Sequence, residues 1–194
     1  MINEVFGLLR DQLNAFLQVR SGVHPGDSVD SKVDFIESTE GTVFPANKIS
    51  MLLVNIEEEN ALRPPDLYAA ISTDGTRRKV QPEIRLDLYV LFVAGFTKDT
   101  YKEGLRNLSL VIQYFQNHRV LDHQNTPGLS ESIEQLTLEL VTMPLSQQNE
   151  IWSALRTAYH PSVLYRVKMV VFRDDSATSM PTIVEKESTL RNLL

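Results

Sequence analysis

A chain of 194 residues with 42% hydrophobic content can bury one good core, which favours a single domain with at most a small appendage. It has no Cys, which excludes a disulfide framework, a thiolate metal site and a cysteine nucleophile, and fits a reducing cytoplasm. A formal charge of −6 argues against a nucleic-acid binder, because phosphate contacts need concentrated Lys and Arg and the one basic cluster is Arg77, Arg78 and Lys79.

Ile2, Phe6, Leu9, Leu13, Phe16 and Leu17 recur at helical spacing, with Asn3, Arg10, Asp11, Gln12 and Asn14 on the other face, so the chain opens with an amphipathic helix. Glu4, Arg10, Asp11 and Arg20 break the unbroken apolar run that a signal peptide needs, and no stretch approaches a membrane span. SGVHPGDSVDS at 21–31 is turn-rich and stops the helix. Strands are expected at 32–38 and 48–59. The second is apolar on both faces from Met51 to Val54, the pattern of a strand covered on both sides. Residues 60–82 hold three Pro, a Gly and the basic cluster without a sustained period, which predicts a long excursion between strands of the mobile or functional kind.

The stretch PEIRLDLYVLFVAGF then places Ile84, Leu86, Leu88, Val90 and Phe92 on one face and is apolar on both from Tyr89, so it is the expected central strand. Thr100 and Glu103 have capping-box spacing at the start of a helix over 100–118, with Tyr101, Leu105, Leu108, Ile112 and Phe115 as its buried stripe. Gly104 inside that helix implies a close approach to a neighbouring element. After a turn at Thr126-Pro127-Gly128, a strand alternates with Leu136, Leu138 and Leu140 inward and Gln135, Thr137 and Glu139 outward. Pro144 ends it. Ser146 is the expected N-cap of a short helix that buries Ile151, Trp152, Leu155 and Tyr159, and VLYRVKMVVF is the last strand. The result is an α+β (mixed α/β) protein: one sheet of about five strands backed by two to three helices, over residues 1–173, with a polar tail at 174–194.

Signals for chemistry are sparse. His24, His118, His123 and His160 show no paired-ligand spacing, and His118 and His123 suit a helix C-terminus without a metal. His160 precedes Pro161, which pushes it out of the helical region, so it is expected at a helix-to-strand corner, capping helix carbonyls. Glu57, Glu59 and Asp87 could gather at strand ends as a Mg²⁺-dependent carboxylate nuclease, although a solvated strand end explains the acidic run equally well. No G-x-S-x-G and no phosphate-binding Gly loop occurs. An interaction protein without cofactor is the reading that remains. Arg77, Arg78 and Lys79, with Leu190, Leu193 and Leu194 of the tail, are its candidate contact residues.

NIEEE at 55–59, LYVLFVA at 88–94, YKEGLRNLSLVIQYFQNH at 101–118 and the long stretch from Ile133 through Trp152, Tyr159, Pro161, Ser162 and Tyr165 to Val170 carry a resemblance. They are similar to the cap or tail-terminator family of extracellular contractile injection systems, the phage-tail-like particles of the virulence-cassette and antifeeding-prophage types. The resemblance spans residues 1 to 173. It implies a non-enzymatic protein that forms a homo-oligomeric ring, expected to be a hexamer. That ring would assemble in the bacterial cytoplasm, seat on the distal end of the inner tube and the last sheath layer, and stop polymerisation. A sheet edge would accept an extended arm of a tube or sheath subunit. A monomeric assembly adaptor of the same particle is the third reading beside cap and nuclease.

Overall fold

The computed structural model describes residues 1–21, 32–36, 43–59, 69–71, 77–79, 84–172 and 178–179. Its elements are α1 (Ile2–Ser21), β1 (Val33–Phe35), β2 (Ile49–Glu58), β3 (Ala69–Ile71), β4 (Arg77–Lys79), β5 (Ile84–Ala94), α2 (Tyr101–Asn117), β6 (Val120–Asp122), β7 (Gln135–Val141), α3 (Leu145–Ala154), β8 (Ser162–Phe172) and β9 (Thr178–Ser179). The main sheet has six strands in the order β1-β2-β5-β8-β7-β6, one more than the five expected. All its pairings are antiparallel except β1 with β2. The expected central strand, β5, does lie inside the sheet, flanked by β2 and β8.

Alternation along these strands sorts side chains to two faces. On one face Leu88, Val90, Phe92, Tyr165, Val167, Met169, Leu136 and Leu138 meet Val5, Leu9 and Leu13 of α1 and Leu108, Val111 and Phe115 of α2 in the larger core. Phe92 is fully buried and touches Phe115 and Tyr165 at ring-centroid distances of 5.4 and 5.9 Å. On the other face Leu91, Val93 and Leu164 pack under Phe44 and Trp152, so α3 and the segment before β2 cover only one end of that face.

Several local expectations are corrected. Residues 60–82 are not wholly a loop, since β3, β4 and the tail strand β9 form a second, three-stranded sheet in the order β3-β4-β9. Thr100 is the N-cap of α2, but its hydroxyl makes no helix cap. It instead accepts a hydrogen bond from the Thr97 N–H at 2.9 Å, so the capping box does not form. The buried side of α2 is Gly104, Asn107, Leu108, Val111, Tyr114 and Phe115, while Tyr101 and Leu105 are exposed. The helix is rolled so that Gly104 faces Ala94 and Phe96, and a Cβ there would sit 3.4 Å from the Phe96 Cβ. Pro144, not Ser146, stands at the N-cap of α3. Tyr159 is exposed, although its ring meets Trp152 edge-on at 5.6 Å. Leu53 and Leu140, expected inside, are 38% and 53% exposed, on stretches of β2 and β7 that β1 and β6 do not pair with. The loop at 22–31 lies outside the described residues.

Candidate assembly surface

Three features of the main sheet carry polar or exposed groups, and the first is the half of its second face that α3 leaves uncovered. Cross-strand register places Asn55, Tyr89, Arg166 and Glu139 in one row and Glu57, Asp87, Lys168 and Thr137 in the next. Arg166 Nη2 meets a Glu139 oxygen at 2.5 Å, Lys168 Nζ meets the other at 2.9 Å, and Arg166 Nη1 lies 3.7 Å from Asp87. The Tyr89 hydroxyl donates to Glu57 at 2.8 Å. Hydrogen bonds from Lys168 and then Arg166 hold the Glu139 carboxyl below its ordinary pKa. Burial pushes Asp87 above its own despite Arg166, because its side chain is only 7% exposed. Adjacent opposite charges of this kind form a self-neutralising ladder, and it was missed in the sequence because it depends on which strands are neighbours.

The second feature is the pair of sheet edges. Strand β1 covers only Ile49 to Met51 of β2, and β6 covers only Gln135 to Thr137 of β7. Beyond these, among the described residues, no strand pairs with the outer side of β2 from Leu52 to Ile56 or of β7 from Glu139 to Val141. Leu53, Ile56, Val120 and Leu140 are exposed along these two edges.

The third is the aromatic corner that holds His160. Its ring lies 5.0 Å from Phe44, 5.4 Å from Phe96 and 6.1 Å from Trp152. The buried Nδ1 has no hydrogen-bond partner among the described residues, so it caps no helix carbonyl and His160 serves as a packing ring. His118 Nδ1 instead bonds the Tyr114 carbonyl, and His123 Nε2 that of Ile133, each at 2.9 Å.

Arg77, Arg78 and Lys79 form β4, the middle strand of the small sheet, rather than a loop tip. Leu190, Leu193 and Leu194 lie outside the described residues. Glu57 and Asp87 are register partners across β2 and β5, but Glu57 is engaged by Tyr89 and Asp87 by Arg166. Among the described residues, no three His, Asp or Glu side chains are grouped to hold a metal ion. No described helix is long and apolar enough to cross a membrane.

The sheet with two helices on one face and a half-covered second face defines a mixed α+β protein. A cryo-EM structure of an extracellular contractile injection system, the PVC sheath/tube terminator in its extended state, matches it with a TM-score of 0.59 at 15% identity. That match covers 98% of this chain and 65% of the other. The tube-terminating cap of the anti-feeding prophage matches with a TM-score of 0.55 at 14% identity, over 96% of this chain and 60% of that one. The chain therefore spans somewhat less than two thirds of the length of these structures. It belongs to the Pvc16 N-terminal domain family, which matches residues 4–186. None of the curated proteins matches the sequence.

Proposed function

We propose that this chain is a cap that closes the distal end of the inner tube and sheath of a contractile injection particle and stops their polymerisation. The observation that carries this reading is the match of nearly the whole chain to two terminators of such particles, in a family whose N-terminal domain it shares. Copies form a closed ring, a hexamer in this reading, that reproduces the symmetry of the tube end and offers the last subunits a surface that the next cannot extend. The ring assembles in the cytoplasm and remains part of the particle. Residues 1–173 supply the body, and the 174–194 tail adds Leu190, Leu193 and Leu194 as partner contacts. Arg77, Arg78 and Lys79 meet an acidic surface on a tube or sheath subunit, and the edge of the small sheet accepts an extended arm whose backbone completes the ladder. No catalytic step, cofactor, nucleic acid or membrane contact enters this role.

The test is to produce tube and sheath with and without this chain and measure particle length. Particles of uniform length with the chain, and overlong or ragged ones without it, are expected. Identical length distributions would overturn the cap reading and favour an assembly adaptor.

A further inference from the structure

The outer side of β7 is closed at one end and open at the other, in a part of the chain whose backbone is described without a break from Ile84 to Phe172. Strand β6 pairs with Gln135 to Thr137, and the Leu138 N–H, which donates to the Arg119 carbonyl at 2.8 Å, ends the covered part. The outer side of β6 is itself tied down. Asn125 donates to the Val120 carbonyl at 3.0 Å and accepts the Asp122 N–H at 3.1 Å, the kind of blocking that protects natural sheet edges. In an antiparallel strand the backbone groups of alternate residues point the same way. Leu140 therefore turns its N–H and C=O outward like Leu138, where no described strand meets them, while Glu139 and Val141 turn theirs toward β8.

Apolar groups border this opening on both faces of the sheet. Leu140 alternates with Leu136 and Leu138, so it lies on the face of the larger core, opposite Tyr165, and is exposed. The side of α2 nearest α1 carries Tyr114, 5.2 Å from Phe16, and Glu103, 3.8 Å from Lys32. Helical spacing thus puts the exposed Tyr101 and Leu105 on the side of α2 turned toward β7. On the other face, α3 follows directly from β7, and its Trp152 packs with Leu91, Val93 and Leu164. Leu145, two turns earlier, points the same way as Trp152 yet is 79% exposed, so the sheet-facing side of α3 runs on past the part of the sheet that supports it. One cation completes the border. Arg119 stands opposite Leu138, on the face of the larger core, and is exposed with no ion pair among the described residues. Burial raises the Tyr165 hydroxyl above its ordinary pKa and Arg119 opposes that rise, which places the guanidinium beside the same strip.

A helix laid on this border could cover the leucines but would leave the Leu140 backbone unpaired. A strand meets both needs, because its side chains alternate between the two faces. We infer that the β7 edge around Leu140 is a docking site for an extended segment of another protein, apolar on both faces and carrying a carboxylate where it reaches Arg119. For the source of that segment, a subunit at the end of the particle, the inference rests on the function proposed above, and it adds a site on the main sheet to the one on the small sheet. Charge sets a second copy of this chain aside. Two β7 strands paired about Leu140 would bring Arg119 only to Thr142, Met143 and Pro144, none of which is acidic.

The test titrates the full chain with a seven-residue peptide rich in Val and Thr that ends in Glu, at millimolar concentration, and follows backbone amides by NMR. The peptide is expected to shift the amides of Leu140 and Thr142 and to slow their hydrogen exchange. Methylating its alternate backbone nitrogens should abolish the shifts, and Lys in place of Glu should weaken binding at least threefold. Leu140→Lys and Leu145→Lys, verified as folded by Trp152 fluorescence, should each weaken binding at least tenfold, whereas Val19→Lys on α1 should leave it unchanged. No binding, shifts away from β7, equal binding of the methylated peptide, or unaltered binding by both leucine variants would overturn the site. Binding that emerges only after residues 180–194 are removed would give the edge to this chain's own tail, and a dimer protected at Leu140 without peptide would give it to a second copy; either overturns the inference. The titration needs no particle, so the two readings fail separately. A wild-type chain that labels particle ends but takes no peptide loses only the strand site, and one that takes the peptide but labels no end loses only the cap.

Discussion

Gly95 ends β5 where the chain of residues 43–48 crosses it, and replacing it with Ala separates close backbone approach from ordinary glycine flexibility. A Cβ at Gly95 would lie 1.9 Å from the Pro45 carbonyl oxygen and 2.8 Å from its carbon, so a backbone segment must move. That segment is held by Gly95 N–H to Lys48 O and Asn47 N–H to Gly95 O, both 2.9 Å, and it carries Phe44 onto Trp152 at 5.8 Å. Backbone hydrogen bonds are worth about 1 kcal/mol each, and forced overpacking costs about 1–3 kcal/mol, so Gly95→Ala should lose about 3 kcal/mol. Gly104→Ala is the internal control. Its Cβ would make ordinary contacts at 3.4 Å and 3.6 Å in a helix interior, so it should gain up to about 1 kcal/mol. Urea unfolding followed by fluorescence of the single Trp, which sits in the affected cluster, measures both. A Gly95→Ala variant within about 0.5 kcal/mol of wild type, or a Gly104→Ala variant equally destabilised, would refute the reasoning.

Asn14→Ala should cost about 1–3 kcal/mol in the same assay, because it withdraws the side chain that pairs with both backbone groups of Val33; an unchanged midpoint would contradict that role. Arg156 follows α3 at a φ of 52°, a conformation that penalises any side chain, so Arg156→Gly should stabilise by about 1 kcal/mol. Glu139 and Asp87 should respond oppositely to pH. The ionised form of Glu139 is favoured by folding, so its contribution exists above the unfolded carboxylate pKa and is lost as pH falls through the folded value. Asp87 has a raised folded pKa, so its contribution is full below the unfolded value and is lost as pH rises through the folded one. On acidification from neutrality, the destabilisation caused by Glu139→Gln should shrink and that caused by Asp87→Asn should grow. Parallel pH profiles for the two variants would contradict the assigned causes.

The long elements were legible because their periods are strong. The alternation in 84–94 and 135–141 and the helical stripe in 2–17 each identified a real element, and β5 was correctly placed inside the sheet. Strand β6 was missed because its three residues, directly after a helix, are too few to display a period. The buried stripe of α2 was misjudged by favouring the most hydrophobic letters, whereas the helix is rolled so that Gly104 and Asn107 join its buried side and Tyr101 and Leu105 do not. Leu53 belongs to the apolar run read as covered on both faces and Leu140 follows the core alternation, yet both are exposed, so these patterns identified the strands correctly and the burial of these two residues wrongly. The charged ladder on Asp87, Glu139, Arg166 and Lys168 was illegible for a different reason, since it is created by strand order and register. The candidate surface thus coincides largely with the places where a local pattern meets the limit of the tertiary layer above it.

The claim that this chain is a cap is tested most directly by imaging isolated tube-and-sheath particles mixed with gold-tagged chain. The account predicts label at one end of each particle, competed away by untagged chain. Label distributed along the particle length, or no label at either end, would contradict it.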